Sequence, residues 1–175
     1  MNLKSDDFEL FGLPRRFAQD RGAIDARWKD LQRHAHPDRF AAEGAAAQRV
    51  AMQWSARINE AYGRLKDPLR RAAYLCELHG ARVDAENNTA MPADFLMQQM
   101  EWREALDEAQ DIDALDGLSA EVGRSREARL RRCEELIDRD QDHAAAVAQV
   151  RALMFIERFA QDIGNRYEKM ESRAG

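Results

Sequence analysis

An all-α fold in two parts is predicted by three features of the sequence. Apolar residues recur at steps of three and four along most of the chain. No segment alternates apolar and polar residues as a half-buried strand does. Gly, Pro, Asp and Ser stand where helices have to start or stop. With 175 residues, 45% hydrophobic and 34% charged, the chain can bury a core while its charges solvate the outer helix faces.

The elements follow in order. Asp6-Asp7 caps a short helix through Phe8, Leu10 and Phe11, and Gly12 with Pro14 stops it. Ile24, Trp28, Leu31 and Ala35 define one face of a second helix, with Lys29 and Arg33 turned away and Arg27 on the flank. That helix ends near His36, because Pro37 lacks an N–H and disfavours the α region for the residue before it. Val50, Trp54, Ile58, Ala61 and Leu65 then give the stripe of a long helix from about Ala45 to Lys66, which packs antiparallel on the second helix. Asp67-Pro68 ends it, and Leu69 to His79 form one more helix closed by Gly80.

Residues 1–80 thus form one domain. Residues 81–91, with Glu86-Asn87-Asn88-Thr89 and little to bury, read as a linker, and 92–175 as a three-helix bundle. Pro92 opens its first helix, to about Gln110. Ser119 is the expected cap of a second, to about Asp138, and a third runs from about His143 to Lys169 on the stripe Leu153, Ile156, Ala160, Ile163 and Tyr167.

Composition narrows the function. The net charge of −5 is uneven: 14 Lys/Arg face 11 Asp/Glu in residues 1–80, and 13 face 21 in 81–175. That asymmetry points to two surfaces with different partners and is too weak to imply nucleic-acid binding. No apolar run is long enough for a membrane span and no signal-peptide core follows Met1, so a cytoplasmic protein without a membrane partner is expected. Cys76 and Cys133 lack any C-x-x-C spacing and read as small buried hydrophobes.

Two stretches carry the chemistry. The first is the turn His36-Pro37-Asp38 between two patterned helices. His34, His36 and Asp38 are metal-compatible types, but residues flanking a proline with no second cluster rarely complete a coordination shell, so neither a metal, a cofactor nor catalysis is expected. The second is the helix around Asp94 to Glu108. Phe95, Gln99, Trp102, Leu106 and Ala109 share the face that packs the bundle. Leu96, Met97 and Met100 fall on another face, edged by Glu101, Glu104 and Glu108, and Phe155 projects off the stripe of the last helix. Adaptable methionines beside carboxylates suit a partner surface, but periodicity leaves open whether this face packs inside the protein.

The N-terminal part resembles the J-domain co-chaperones. The resemblance rests on Phe8-Glu9-Leu10-Phe11-Gly12-Leu13, on HPDRF at 36–40 and on INEAYGRLKDPLRRAAY at 58–74. It implies that His36, Pro37 and Asp38, with Arg27, Lys29 and Arg33 as charge complements, bind a DnaK-type chaperone and stimulate its ATPase. One departure is Ala35, where many J-domains carry an aromatic residue. Phe95 to Glu108 and the Ala-rich helix around Val150 to Ile156 narrow the resemblance to the HscB family. This implies a non-enzymatic co-chaperone of iron-sulfur cluster assembly whose bundle binds an IscU-type scaffold through Leu96, Met97, Met100, Glu101, Glu104, Glu108 and Phe155, and whose J-domain recruits an HscA/DnaK-type ATPase chaperone. The alternative is a general J-domain co-chaperone for unfolded clients.

Overall fold

The computed structural model describes residues 2–84 and 89–175. They form seven α-helices and two short irregular helical turns, with no strand among the described residues. The chain divides into two compact units, Met1–Leu75 and Cys76–Gly175. The division falls ahead of the segment 81–91 expected as a linker, of which residues 85–88 lie outside the described residues.

In the first unit, α1 spans Asp7–Phe11 and is capped by Asp6, whose carboxylate accepts from Glu9 N at 3.0 Å. Gly12 ends it in the left-handed region at φ 63°, where a side chain is strained. Helix α2 is Arg21–Ala35, and His36 leaves it in an extended conformation ahead of Pro37, as the proline requires. A 3₁₀ turn, Pro37–Glu43, and Gly44 at φ 98° lead into α3, Ala45–Lys66.

The antiparallel register of α2 and α3 is set by polar pairs one turn apart. Tyr62 Oη donates to Asp25 at 2.8 Å, Trp28 Nε1 to Asn59 at 2.9 Å, and Ser55 Oγ to Gln32 at 2.8 Å. Pairs 25 with 62, 28 with 59 and 32 with 55 mean that one helix descends as the other ascends. Beneath them Ile24, Ile58, Ala61 and Leu65 are wholly enclosed, and each large aliphatic contributes about 1.5–3 kcal/mol. Val50 departs from the expected stripe: it is 52% exposed and Ala51 is buried instead. Ala51 lies on the heptad row of Ile58 and Leu65, whereas Val50 is turned about 100° from Ala51, at the edge of the buried face.

A buried carboxylate locks α1 onto this hairpin. Asp7 is inaccessible to solvent, pairs with Arg57 Nη1 at 2.8 Å, and accepts from Arg64 Nε at 2.6 Å and Nη2 at 3.0 Å. Its hydrogen bond holds Arg64 well above the ordinary arginine range. The Asp7 N–H donates to Tyr74 Oη at 3.0 Å, which brings α4, Pro68–Leu78, to the same node.

The second unit contains α5 (Ala93–Glu108), α6 (Ile112–Glu134) and α7 (His143–Ala174), with a π turn, Glu135–Arg139, between the last two. Phe95, Trp102 and Phe159 form an aromatic core. Phe95 meets Trp102 edge-on with centroids 5.9 Å apart, and Trp102 stacks on Phe159 at 5.8 Å. Ser119 does not cap α6. Asp111 does, accepting from Ala114 N at 2.8 Å, and Leu115 and Leu118 are already buried, so the cap stands eight residues earlier than expected. On α7, Phe159 is buried and Ala160 exposed, because Trp102 draws the neighbouring ring into the core.

Arg151 organises the segment before α5. It is buried and donates from Nε to Val83 O and from Nη1 to Ala90 O, both at 3.0 Å, and from Nη2 to Arg82 O at 3.4 Å. Both described ends of the 81–91 stretch are therefore tied to α7. Cys76 and Cys133 are fully buried, unbridged thiols, and burial pushes them up to about 11 and about 12. His79 and His143 stack with centroids 3.9 Å apart and planes within 10°.

Two predictions follow from these contacts. Asp7→Ala strands two arginines beside a buried site, so unfolding of the first unit in urea, followed by hydrogen exchange of α1 to α3, loses about 3–5 kcal/mol. Burial and the His79 charge lower the His143 pKa below its ordinary 6.5. The unfolded chain then binds more protons in that range, so stability rises with pH and is lost on acidification. Stability of the second unit is expected to decline as pH drops through 6.5 towards the folded value, and His143→Gln to flatten that decline in thermal melts taken between pH 5 and 8.

Candidate protein-docking surfaces

The α2–α3 turn presents a fixed loop. His36 is held at ψ 128° by the following proline, and its Nδ1 accepts from Asp38 N at 3.3 Å. Arg39 Nη1 donates to Arg33 O at 3.2 Å, tying the start of the 3₁₀ turn to the last turn of α2. Asp38 therefore points outward, with its side chain 91% exposed and only His36 Nδ1, 3.6 Å away, beside it. An exposed carboxylate on a rigid loop suits a charge-assisted bond to a guanidinium on a partner.

The basic residues expected beside this turn fall into two sets. Lys29 and Arg33 are exposed on the face of α2 opposite its core. Arg27 lies on the other flank, half-buried, with Nε donating to Phe11 O at 2.8 Å and Nη1 3.6 Å from Asp30. Its guanidinium braces the end of α1 as well as carrying charge. His34 turns back to the Asp30 carbonyl, with Nδ1 2.8 Å away, and no three His, Cys, Asp or Glu side chains among the described residues form a group fit to hold a metal.

On α5 the second face is open to solvent. Leu96 is 54% exposed, Met97 70% and Met100 74%, large values for apolar side chains in a folded unit. Glu101, Glu104 and Glu108 are exposed and make no ion pair or hydrogen bond among the described residues. Phe155 is half-buried: its ring meets Phe95 edge-on at 5.5 Å and stacks on Phe159 at 5.9 Å. The Arg103 guanidinium lies 5.4 Å from the same ring. At 100° per residue, Leu96, Met100 and Arg103 form one stripe of α5. Phe155, touching both Phe95 and Arg103, therefore borders that stripe. The seven residues expected to act together form a band running from Phe155 over Leu96 and Met100 to Met97 and the three glutamates. Met154, the α7 residue before Phe155, is also exposed, and sequence periodicity did not single it out.

Sequence reasoning also missed a polar groove between α5 and α6 that holds the buried Arg129. Its signal was present as five arginines between positions 124 and 132 of an otherwise acidic half.

A helical hairpin with His-Pro-Asp at its tip, joined to a three-helix bundle, defines a J-domain protein with an additional C-terminal domain. The comparisons agree. Residues 91–164 match the family model described as the HSCB C-terminal oligomerisation domain. Co-chaperone protein HscB homologs of Burkholderia multivorans and Burkholderia cenocepacia are 52% and 51% identical to the chain, covering 98% of it and 99% of their own lengths. Among solved structures, chaperone HscB from Vibrio cholerae is 34% identical with a TM-score of 0.81, covering 95% of this chain and 99% of its own. The human co-chaperone HscB is 25% identical with a TM-score of 0.87, covering 95% and 84%. The chain belongs to the HscB family of co-chaperones.

Proposed function

We propose that this co-chaperone serves iron-sulfur cluster assembly by carrying an IscU-type scaffold protein to an HscA/DnaK-type chaperone and stimulating that chaperone's ATPase. The observation that carries the reading is the uncovered face of α5. Leu96, Met97 and Met100 stand in solvent beside Phe155, with three unpaired glutamates along the edge. Such a face favours a partner with an apolar ridge and basic neighbours. A general grip on unfolded chains is less well served, because the apolar strip is narrow and bordered by charge on one side.

On the first unit, Asp38 is the acceptor for an arginine of the chaperone, while Lys29 and Arg33, with Arg27 on the flank, meet its acidic surface. His36 braces the loop and Pro37 fixes its path. The protein breaks no bond and acts by linkage. One molecule holds client and chaperone together, so the second contact becomes effectively intramolecular. Among the described residues no helix is long and apolar enough to cross a membrane, which is compatible with work in the cytoplasm.

Asp38→Ala is expected to leave circular dichroism and melting unchanged and to abolish stimulation of the chaperone ATPase; retained stimulation refutes the role of the turn. Leu96→Ala with Phe155→Ala is expected to weaken scaffold binding by about 2 kcal/mol or more in calorimetric titration, while stimulation without scaffold persists. Because Phe155 also packs on Phe95 and Phe159, Leu96→Ala alone serves as the variant whose folding is unaffected. The oligomerisation named for the matching family model favours one second reading, self-association through the same band. Light scattering of the free chain, with and without Leu96→Ala, separates the two.

A further inference from the structure

The groove between α5 and α6 contains a cation that the fold leaves under-satisfied. The Arg129 side chain is only 10% exposed. Its guanidinium lies 4.3 Å from the Phe95 ring, and Nη1 donates to Gln149 Oε1 at 3.0 Å. Nε is enclosed and donates to nothing. The nearest carboxylate, Asp94, is 3.6 Å from Nη2 and is itself 79% exposed, too distant for a hydrogen bond and too wet for strong pairing. Burial accordingly lowers the Arg129 pKa from the ordinary arginine value. A buried charge with one neutral acceptor is costly, and Nη2, which makes no hydrogen bond and is not enclosed as Nε is, is the end of the guanidinium that a carboxylate entering the groove meets.

The surroundings define the ligand. Arg124 lines the same groove, is exposed, and has no partner among the described residues. Arg132 also lines it and is held by Glu135 at 2.8 Å. Ser125 Oγ donates to Gln98 Oε1 at 3.2 Å, and Glu121 accepts from the Trp102 indole at the same distance. Glu135 takes Arg132, Asp94 stands beside Arg129 and Glu121 accepts from the Trp102 indole, which leaves Arg124 as the cation of the groove with no carboxylate of its own among the described residues. The groove therefore suits a single carboxylate, and a polyphosphate or nucleic-acid backbone is disfavoured.

Position names the source of that charge. Asp94, Met97 and Glu101 are spaced three and four residues apart, so the groove rim and the acidic edge of the exposed band are one stripe of α5. A protein seated on Met97 and Glu101 reaches the groove without a gap. We propose that the groove is a carboxylate-binding subsite of the client surface, in which Arg129 and Arg124 clasp one aspartate or glutamate side chain of the protein docked on α5. This inference rests on the client reading of that helix. It makes client recognition two-signed: glutamates of α5 receive basic groups, and the arginine groove receives an acid from the same partner.

The test is calorimetric titration of the full chain with an IscU-type scaffold, using wild type, Leu96→Ala and Arg124→Gln. It is combined with NMR of the Arg129 Nε–Hε signal. Arg124→Gln removes an exposed charge and is expected to weaken binding about fivefold at low salt, with the loss shrinking at high salt. The Arg129 signal is expected to shift on saturation with scaffold. If Leu96→Ala weakens binding while Arg124→Gln does not and the Arg129 signal stays in place, the subsite is overturned and the client surface stands. If wild type fails to bind the scaffold, both are overturned.

Discussion

A carboxylate shut away from water must be matched by cations that cannot drift, and Asp7 meets that condition with Arg57 and Arg64 from α3 and with the Tyr74 hydroxyl on its own N–H. The constraint reaches well beyond one residue. It fixes α1 across α3, seats Phe8 and Phe11 in the core, and adds α4 to the same node. Arg27 then ties α2 to the end of α1 through the Phe11 carbonyl. With both helices of the hairpin anchored, the proline turn at their far end is presented by a rigid support. The position of the turn depends on a charge pair it never touches.

Burial separates charges that hold the fold from charges that stand in solvent. Asp7 and Asp38 are the same side chain in opposite settings, one enclosed between two arginines and the other 91% exposed beside a histidine. The arginines divide likewise. Arg151 and Arg71 are buried and donate to backbone carbonyls, closing chain segments that have no helix partner of their own. Lys29, Arg33 and Arg124 stand in solvent. Arg129 belongs to neither group, since it is buried as a structural cation is but lacks the acceptors such a cation needs.

In the second unit the two faces of one helix differ. The Phe95 and Trp102 side of α5 is closed by Phe159, while the Leu96 and Met100 side is left to water. Phe155 belongs partly to both. Its contacts with Phe95 and Phe159 join the edge of the exposed band to the aromatic core.

Much of this was legible from the sequence. Helical periodicity located all seven α-helices and Pro37 dictated the break after α2, because these follow from local sterics and from the angular spacing of side chains; the same spacing set Leu96, Met97 and Met100 on a face of α5 apart from Phe95 and Trp102. What periodicity could not supply was which of two adjacent apolar residues a neighbour covers. Phe159 rather than Ala160 is buried because Trp102 is there to meet it. Asp111 outdid Ser119 as a cap because Leu115 and Leu118, already buried, carry the helix back to it. The exposure of Leu96, Met97 and Met100, the hold of Arg151 on residues 82, 83 and 90, and the unmet Nε of Arg129 were likewise decided only in three dimensions. Each depends on what packs against a side chain from a distant part of the chain, and spacing along one helix carries no record of that.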